Sequence, residues 1–139
     1  MRKSGSIALV VLAVGALGVA TRAVAQETTV ADVGRREFQQ YCSGCHGLEG
    51  KGNGAFAAYL KAPPPDLTTI AKRRGGTFPE TEVAQIIDGR KPMAVHGTAE
   101  MPIWGQRFVD AAPAPQATQA SARGQITLLV AYLRSIQQK

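Results

Sequence analysis

The chain has 139 residues, enough for one small domain with a modest hydrophobic core. Its formal net charge is +6, from 16 Lys and Arg against 10 Asp and Glu, but three of the basic residues (Arg2, Lys3 and Arg22) precede position 26. From position 26 onward 13 basic side chains face 10 acidic ones, a net charge of about +3, which gives no support to a nucleic-acid-binding protein.

The first 25 residues have the pattern of a secretory signal peptide. Arg2 and Lys3 supply a positive start, residues 7–20 are apolar, and the A-V-A run at 23–25 offers a cleavage site. The apolar run has 14 residues, fewer than the roughly 20 that span a bilayer. We therefore expect export to the periplasm, a cleaved leader, one domain over residues 26–139 and no stable membrane insertion, with an uncleaved anchor as the alternative.

The first predicted helix covers residues 30–41, and the sequence has no strand-like alternation of useful length. Four of its residues recur at spacings of three and four and so share one face: Val33, Gly34, Phe38 and Tyr41. A glycine inside a helix costs about 1 kcal/mol relative to alanine. We therefore expect Gly34 to mark a close crossing with another helix.

The C-x-x-C-H motif at residues 42–46 is typical of covalent attachment of haem c. In such a site the thiols form thioethers with the haem vinyl groups, and the histidine ligates iron from one face. A zinc site would need about four N or S ligands, and this chain offers two cysteines and two histidines, His46 and His96, 50 residues apart. A thioredoxin-like pair would follow a strand, whereas helical spacing precedes Cys42. A plain disulfide is the remaining alternative.

Glycine- and proline-rich loops follow the motif. We interpret the G-N-G run at 52–54 as a turn that lets the backbone approach the haem edge, and the three prolines at 63–65 as an extended strut. Asp66 is placed to cap a short helix over residues 67–73.

A T-x-x-E pattern at 77–80 resembles a capping box and predicts a helix that ends at Asp88, before Gly89. Two basic clusters, at 72–74 and 90–91, flank this helix. They could form a docking patch for acidic redox partners, although a solvated face is the alternative.

Residues 111–122 are rich in Ala, Pro, Gln, Thr and Ser and lack periodicity, so we predict a flexible surface insertion there. The last predicted helix covers residues 122–137 and is the natural crossing partner of the first. Its apolar face is formed by Ile126, Leu129, Tyr132, Leu133 and Ile136.

The second axial position of a haem iron has three candidate ligands, Met93, His96 and Met101. Met101 opens the M-P-I-W-G run at 101–105, in which Pro102 stiffens the loop and the tryptophan can shield the thioether from water. Met101 is therefore the favoured ligand, and His96 is its rival.

The chain resembles the class I c-type cytochromes, small monohaem electron-transfer proteins of bacterial periplasms and mitochondria. The resemblance covers nearly all of residues 30–138 and is greatest for the proteobacterial group with His-Gly before a Met-Pro-x-Trp-Gly loop. The matching positions are Gly34, Phe38, the motif at 42–46, Pro65-Asp66-Leu67, His96-Gly97, residues 101–105, Leu129 and Tyr132.

This resemblance implies an all-α cytochrome c fold, with about four to five short helices wrapped around one haem c and the N- and C-terminal helices crossing. It implies covalent thioethers at Cys42 and Cys45, with His46 as the proximal and Met101 as the distal iron ligand. Iron with both axial positions filled has no open site for a substrate, so the expected activity is electron transport rather than catalysis.

The partners expected for such a carrier are redox proteins: a dehydrogenase or quinol-oxidising complex as donor, and an oxidase or reductase as acceptor. Two alternatives stay open at this point. The protein could be a dedicated cytochrome subunit of a periplasmic dehydrogenase, or a ligand-binding or peroxidase-like haem protein in which Met101 is displaced.

Overall fold

Six α-helices organise the computed structural model, which describes residues 28–91, 101–112 and 118–139. They are α1 (Val30–Tyr41), α2 (Ser43–His46), α3 (Ile70–Arg73), α4 (Glu80–Asp88), α5 (Trp104–Asp110) and α6 (Thr118–Ser135), with short 3-10 turns at Ala57–Tyr59 and Leu67–Thr69. The described residues contain no β-strand, and the predicted all-α fold is confirmed. The predicted signal peptide lies outside these residues.

Helix α1 begins and ends where the sequence predicts, because its first turn is closed by a capping box. The Thr29 hydroxyl accepts a hydrogen bond from the Asp32 N–H at 3.2 Å, and the Asp32 carboxylate accepts one from the Thr29 N–H at 2.9 Å. Two backbone donors that the helix cannot satisfy internally are thus paired.

The crossing of α1 and α6 is the main helix contact of the fold. Gly34 is buried, and a methyl group added there would overlap the backbone carbonyl of Leu128. Phe38 and Leu129 are each 1% exposed, and the Phe38 ring lies 5.2 Å from that of Tyr132. The crossing predicted from Gly34 is confirmed.

Helix α6 begins at Thr118, four residues before its predicted start, and ends at Ser135. Part of the segment predicted as an insertion is therefore helical, and Ala122 within it is buried in the core. Residues 113–117 of that segment lie outside the described residues. Helix α6 also packs on α4 and α5, so it lies at the centre of the helical core.

The residues just after α6 bind the 3-10 turn at Leu67–Thr69 and helix α3. The Gln137 side chain accepts a hydrogen bond from the Ala71 N–H at 2.8 Å and donates one to the Leu67 carbonyl at 2.9 Å. Asp66 caps this segment as predicted, accepting a hydrogen bond from the Thr68 N–H at 2.8 Å.

Helix α4 starts later than predicted. It begins at Glu80 after Pro79, and the proposed capping box at 77–80 is wrong, because no side chain caps this end. Pro79 disfavours the helical conformation in the residue before it, so the helix cannot extend back through Phe78. Its end is as predicted: Gly89 terminates it in the left-handed conformation, with φ of 81°.

None of the helices in the three described ranges is long and apolar enough to cross a membrane.

Substitution Gly34→Ala is expected to lower the free energy of unfolding by about 1–3 kcal/mol, because the new methyl group forces α1 away from the Leu128 carbonyl. Gly124→Ala on α6 is the matched control, since its methyl group would meet no atom within 4 Å. It is expected to stabilise the helix by about 0.5–1 kcal/mol. Urea unfolding measures both, and equal effects would contradict the proposed close crossing.

Asp66→Ala is expected to cost about 1 kcal/mol of stability, and Asp66→Asn less, because asparagine also caps helices. Hydrogen bonds from the Thr68 hydroxyl and N–H hold the pKa of Asp66 below its usual value. The ionised Asp66 carboxylate therefore stabilises the fold fully at a pH above the ordinary pKa of an aspartate. This stabilisation is lost as the pH falls through the lowered pKa of Asp66. Denaturant titrations from neutral to acid pH should show the wild type losing stability relative to Asp66→Asn; parallel curves would contradict this role.

Candidate functional site

A cavity of about 550 Å³ lies between the helices, within the size range of cofactor sites. Cys42, Cys45, His46 and Met101 all line it, so the four residues singled out from the sequence are brought together. Most of the remaining wall is apolar and includes Phe38, Leu67, Ile70, Val83, Ile87 and Leu129.

The C-x-x-C-H motif is placed by the junction of α1 and α2. Cys42 is the C-terminal cap of α1. Its carbonyl accepts hydrogen bonds from the Cys45 N–H at 3.2 Å and the His46 N–H at 2.9 Å. One helical turn thereby directs both thiols and the imidazole to the same cavity. Gly47, with φ of 78°, ends the turn.

In the chain without haem, both cysteines are partly buried thiols, and no disulfide joins them. Burial raises the pKa of Cys42 to about 12, with smaller contributions from Cys45 and Glu37. The Cys42 thiol is therefore protonated at neutral pH and is a weak nucleophile on its own.

His46 is the one described residue with a buried side-chain polar atom that lacks a hydrogen-bond partner, its Nδ1. Burial lowers the pKa of His46, an effect that the nearby Pro65 carbonyl partly opposes. The ring is therefore neutral at pH 7, the form in which histidine ligates metals.

The loop after the motif supports it through backbone contacts. A methyl group at Gly54 would overlap the backbone of Gly44 and Cys45. The Gly54 N–H donates to the Cys45 carbonyl at 3.1 Å, and the Phe56 N–H donates to the Gly44 carbonyl at 2.8 Å. The loop thus approaches the motif closely at Gly54 and the Pro64 carbonyl at Gly52. Its approach to the haem edge stays a prediction.

Met101 is partly buried against the core at the start of the segment that leads into α5. This segment was predicted as a loop, and that prediction is wrong for Trp104–Asp110, which form α5. The four-residue spacing of Trp104 and Phe108 is the signal for this helix. Both rings pack against Tyr41, Trp104 in a tilted arrangement at 5.6 Å and Phe108 edge-on at 5.3 Å between centroids. The competing ligands Met93 and His96 lie outside the described residues.

A charged cluster that sequence analysis had not placed at the site also lines the cavity: Arg73, Arg74, Glu82 and Lys91. One Glu82 oxygen accepts hydrogen bonds from Arg74 and Lys91, each at 2.7 Å. These bonds hold the pKa of Glu82 below its usual value. The basic clusters predicted as surface patches thus contribute to the cavity wall.

The donor set fits an iron macrocycle better than a bare metal ion. Among the described residues there is no group of three or more His, Cys, Asp or Glu that could hold a metal directly. Two thiols, an imidazole and a thioether around an apolar cavity are the groups that attach and ligate haem c.

A protein-family model described as cytochrome c oxidase, cbb3-type, subunit III, matches residues 29–113. The chain belongs to this family. It is a c-type cytochrome, so covalently bound haem c, electron transfer and redox partners follow from membership. The match includes the motif and Met101, whereas α6 lies beyond it. No curated protein and no solved structure matched the chain.

Gly54→Ala is expected to reduce covalent haem content of this cytochrome several-fold, because the methyl group displaces the backbone of Gly44 and Cys45. The absorbance of the alkaline pyridine complex, divided by protein concentration, measures that content. Gly124→Ala, in open surroundings, should keep wild-type content. Equal haem content in both variants would show that the motif does not depend on this contact.

Proposed function

We propose that this cytochrome is a periplasmic single-electron carrier with one haem c. Cys42 and Cys45 form its thioether links, His46 is the proximal ligand and Met101 the distal ligand. Export follows from the predicted signal peptide. The resemblance to class I cytochromes is the sequence argument for a single haem and for this ligand pair.

The observation that carries the proposal is the meeting of all four side chains at one cavity. Cys42, Cys45 and His46 come from one turn, while Met101 is 55 positions further along the chain. The fold brings these distant groups to the same apolar space, as a ligand pair on two faces of one macrocycle requires.

When bound, haem c supplies reversible one-electron chemistry. The chain's own contribution is to fix ligands and exclude water. His46, with a neutral imidazole, and Met101, with its thioether, would hold the iron and leave it no position for a substrate. The apolar wall disfavours the extra positive charge of the oxidised state, and thioether ligation favours the reduced state, so both raise the potential.

A second candidate function is supported by the family description, which names an oxidase subunit. In this case the cytochrome receives electrons inside a stable oxidoreductase complex. The dedicated dehydrogenase subunit, given above as an alternative, is one form of such a complex. Size-exclusion chromatography of the protein isolated from its native source separates the two. A freely exchanging monomer supports the carrier, and co-elution with a larger oxidoreductase supports the subunit.

The ligand pair is tested by the absorption spectrum of the oxidised protein, in which methionine ligation gives a near-infrared sulfur-to-iron band. We expect this band in the wild type and its complete loss in Met101→Ala, because the sulfur is removed. His96→Ala and Met93→Ala are the controls and should keep it.

Loss of the band in His96→Ala with retention in Met101→Ala would contradict the ligand assignment. Rapid carbon monoxide binding by the reduced wild type would favour the ligand-binding alternative, since two bound axial ligands resist displacement.

A further inference from the structure

The haem cavity has a charged wall that the proposed iron ligands do not use. Arg73, Arg74, Glu82 and Lys91 line it, whereas most of the other described side chains around the cavity are apolar. These charges come from α3, α4 and the residues that follow each of them, while the two thiols come from the α1–α2 junction. Charges in an otherwise apolar wall are stabilised by a partner of opposite charge.

Glu82 is the centre of this cluster. One of its carboxylate oxygens lies 2.7 Å from the Arg74 guanidinium and 2.7 Å from the Lys91 ammonium. The Glu82 side chain is only 19% exposed, against 53% for Arg74 and 49% for Lys91. The next residue, Val83, is buried in the core and anchors this turn of α4.

The cluster has an excess of positive charge. Its three cations and one anion leave a net charge of +2 on the described wall of the cavity. Arg73 is further held by the Asp66 carbonyl, to which it donates a hydrogen bond at 2.9 Å. Two carboxylates entering the cavity would neutralise this excess.

Haem c has two carboxylate side chains, on the edge of the macrocycle opposite its thioether links. A carboxylate placed among the apolar side chains of the cavity would be desolvated without a partner, which is strongly unfavourable. The charged wall offers that partner, and guanidinium–carboxylate pairs are among the stronger hydrogen bonds in proteins.

We propose that Arg74 and Lys91 pair with the haem carboxylates, and that Glu82 is a positioning residue that holds both cations at the cavity wall. This inference rests on the proposed function, because it requires haem in this cavity. Through these cations, Glu82 sets the charge beside the haem and hence its midpoint potential.

The same helix provides a matched control. Glu80 pairs with Arg134 at 2.9 Å, and both side chains are more than half exposed. Neither residue lines the cavity. Glu80→Gln and Arg134→Gln therefore remove the same kinds of charge from α4 and its neighbour without touching the site.

The experiment is a spectroelectrochemical titration of the haem-loaded variants. Arg74→Gln and Lys91→Gln are each expected to lower the midpoint potential, because loss of a nearby positive charge stabilises the oxidised haem. Arg134→Gln and Glu80→Gln should leave it unchanged. In a Glu82→Gln background the shifts caused by Arg74→Gln and Lys91→Gln should shrink, since the cations are no longer held at the wall.

Two results would overturn the inference. Shifts in Arg74→Gln and Lys91→Gln no larger than in Arg134→Gln would show that these cations do not face the haem. Undiminished shifts in the Glu82→Gln background would show that Glu82 does not position them. If Arg74→Gln loads no haem, Lys91→Gln and the charge-conserving Arg74→Lys, expected near the wild-type potential, provide the same test.

The haem spectrum separates this inference from the proposed function. A wild-type protein without covalent haem would refute the function itself. Variants with an intact haem spectrum and unmoved potentials would refute only the role of the charged wall.

Discussion

The close crossing of α1 and α6 is the constraint on which the cavity between the helices depends. Gly34 lets the two backbones approach until Phe38 and Leu129 are almost fully buried. Since Cys42 is the C-terminal cap of α1, the position of that helix also sets the position of the thiols. Leu129 and Leu133 of α6 also line the cavity, so both helices of this pair contribute to the site.

A second constraint comes from segments with little regular structure. The loop containing Gly54 is hydrogen-bonded to the backbone of the C-x-x-C-H turn, and the residues after α6 bind the segment capped by Asp66. These contacts help to fix the parts of the cavity wall that lie outside the two long helices. They explain how a small domain forms a cavity of cofactor size with both charged and apolar walls.

The sequence predicted those features that depend on local chemistry. The bounds of α1, the Asp66 cap and the Gly89 terminus each follow from residues a few positions apart, and the donor set follows from a short motif and one methionine. The start of α4 was predicted too early, because the T-x-x-E pattern at 77–80 suggested a capping box. Pro79 instead keeps the residue before it out of the helical conformation.

The charged wall could not be predicted in the same way. Glu82 meets Arg74 and Lys91 at separations of eight and nine residues, across helix ends and turns whose directions are set by packing on α6. From the sequence, the two basic clusters at 72–74 and 90–91 were predicted as a docking patch for acidic redox partners or a solvated face. Family membership likewise establishes a c-type cytochrome without assigning the second ligand or the partner.

The central claim is that Cys42 and Cys45 attach one haem c. The most direct test is mass spectrometry of the tryptic peptide covering residues 37–51, which contains both cysteines and His46. The account predicts a mass increased by that of one haem, with fragments that place both links on the two cysteines. A peptide of unmodified mass, or one lighter by two hydrogens as in a disulfide, would contradict it.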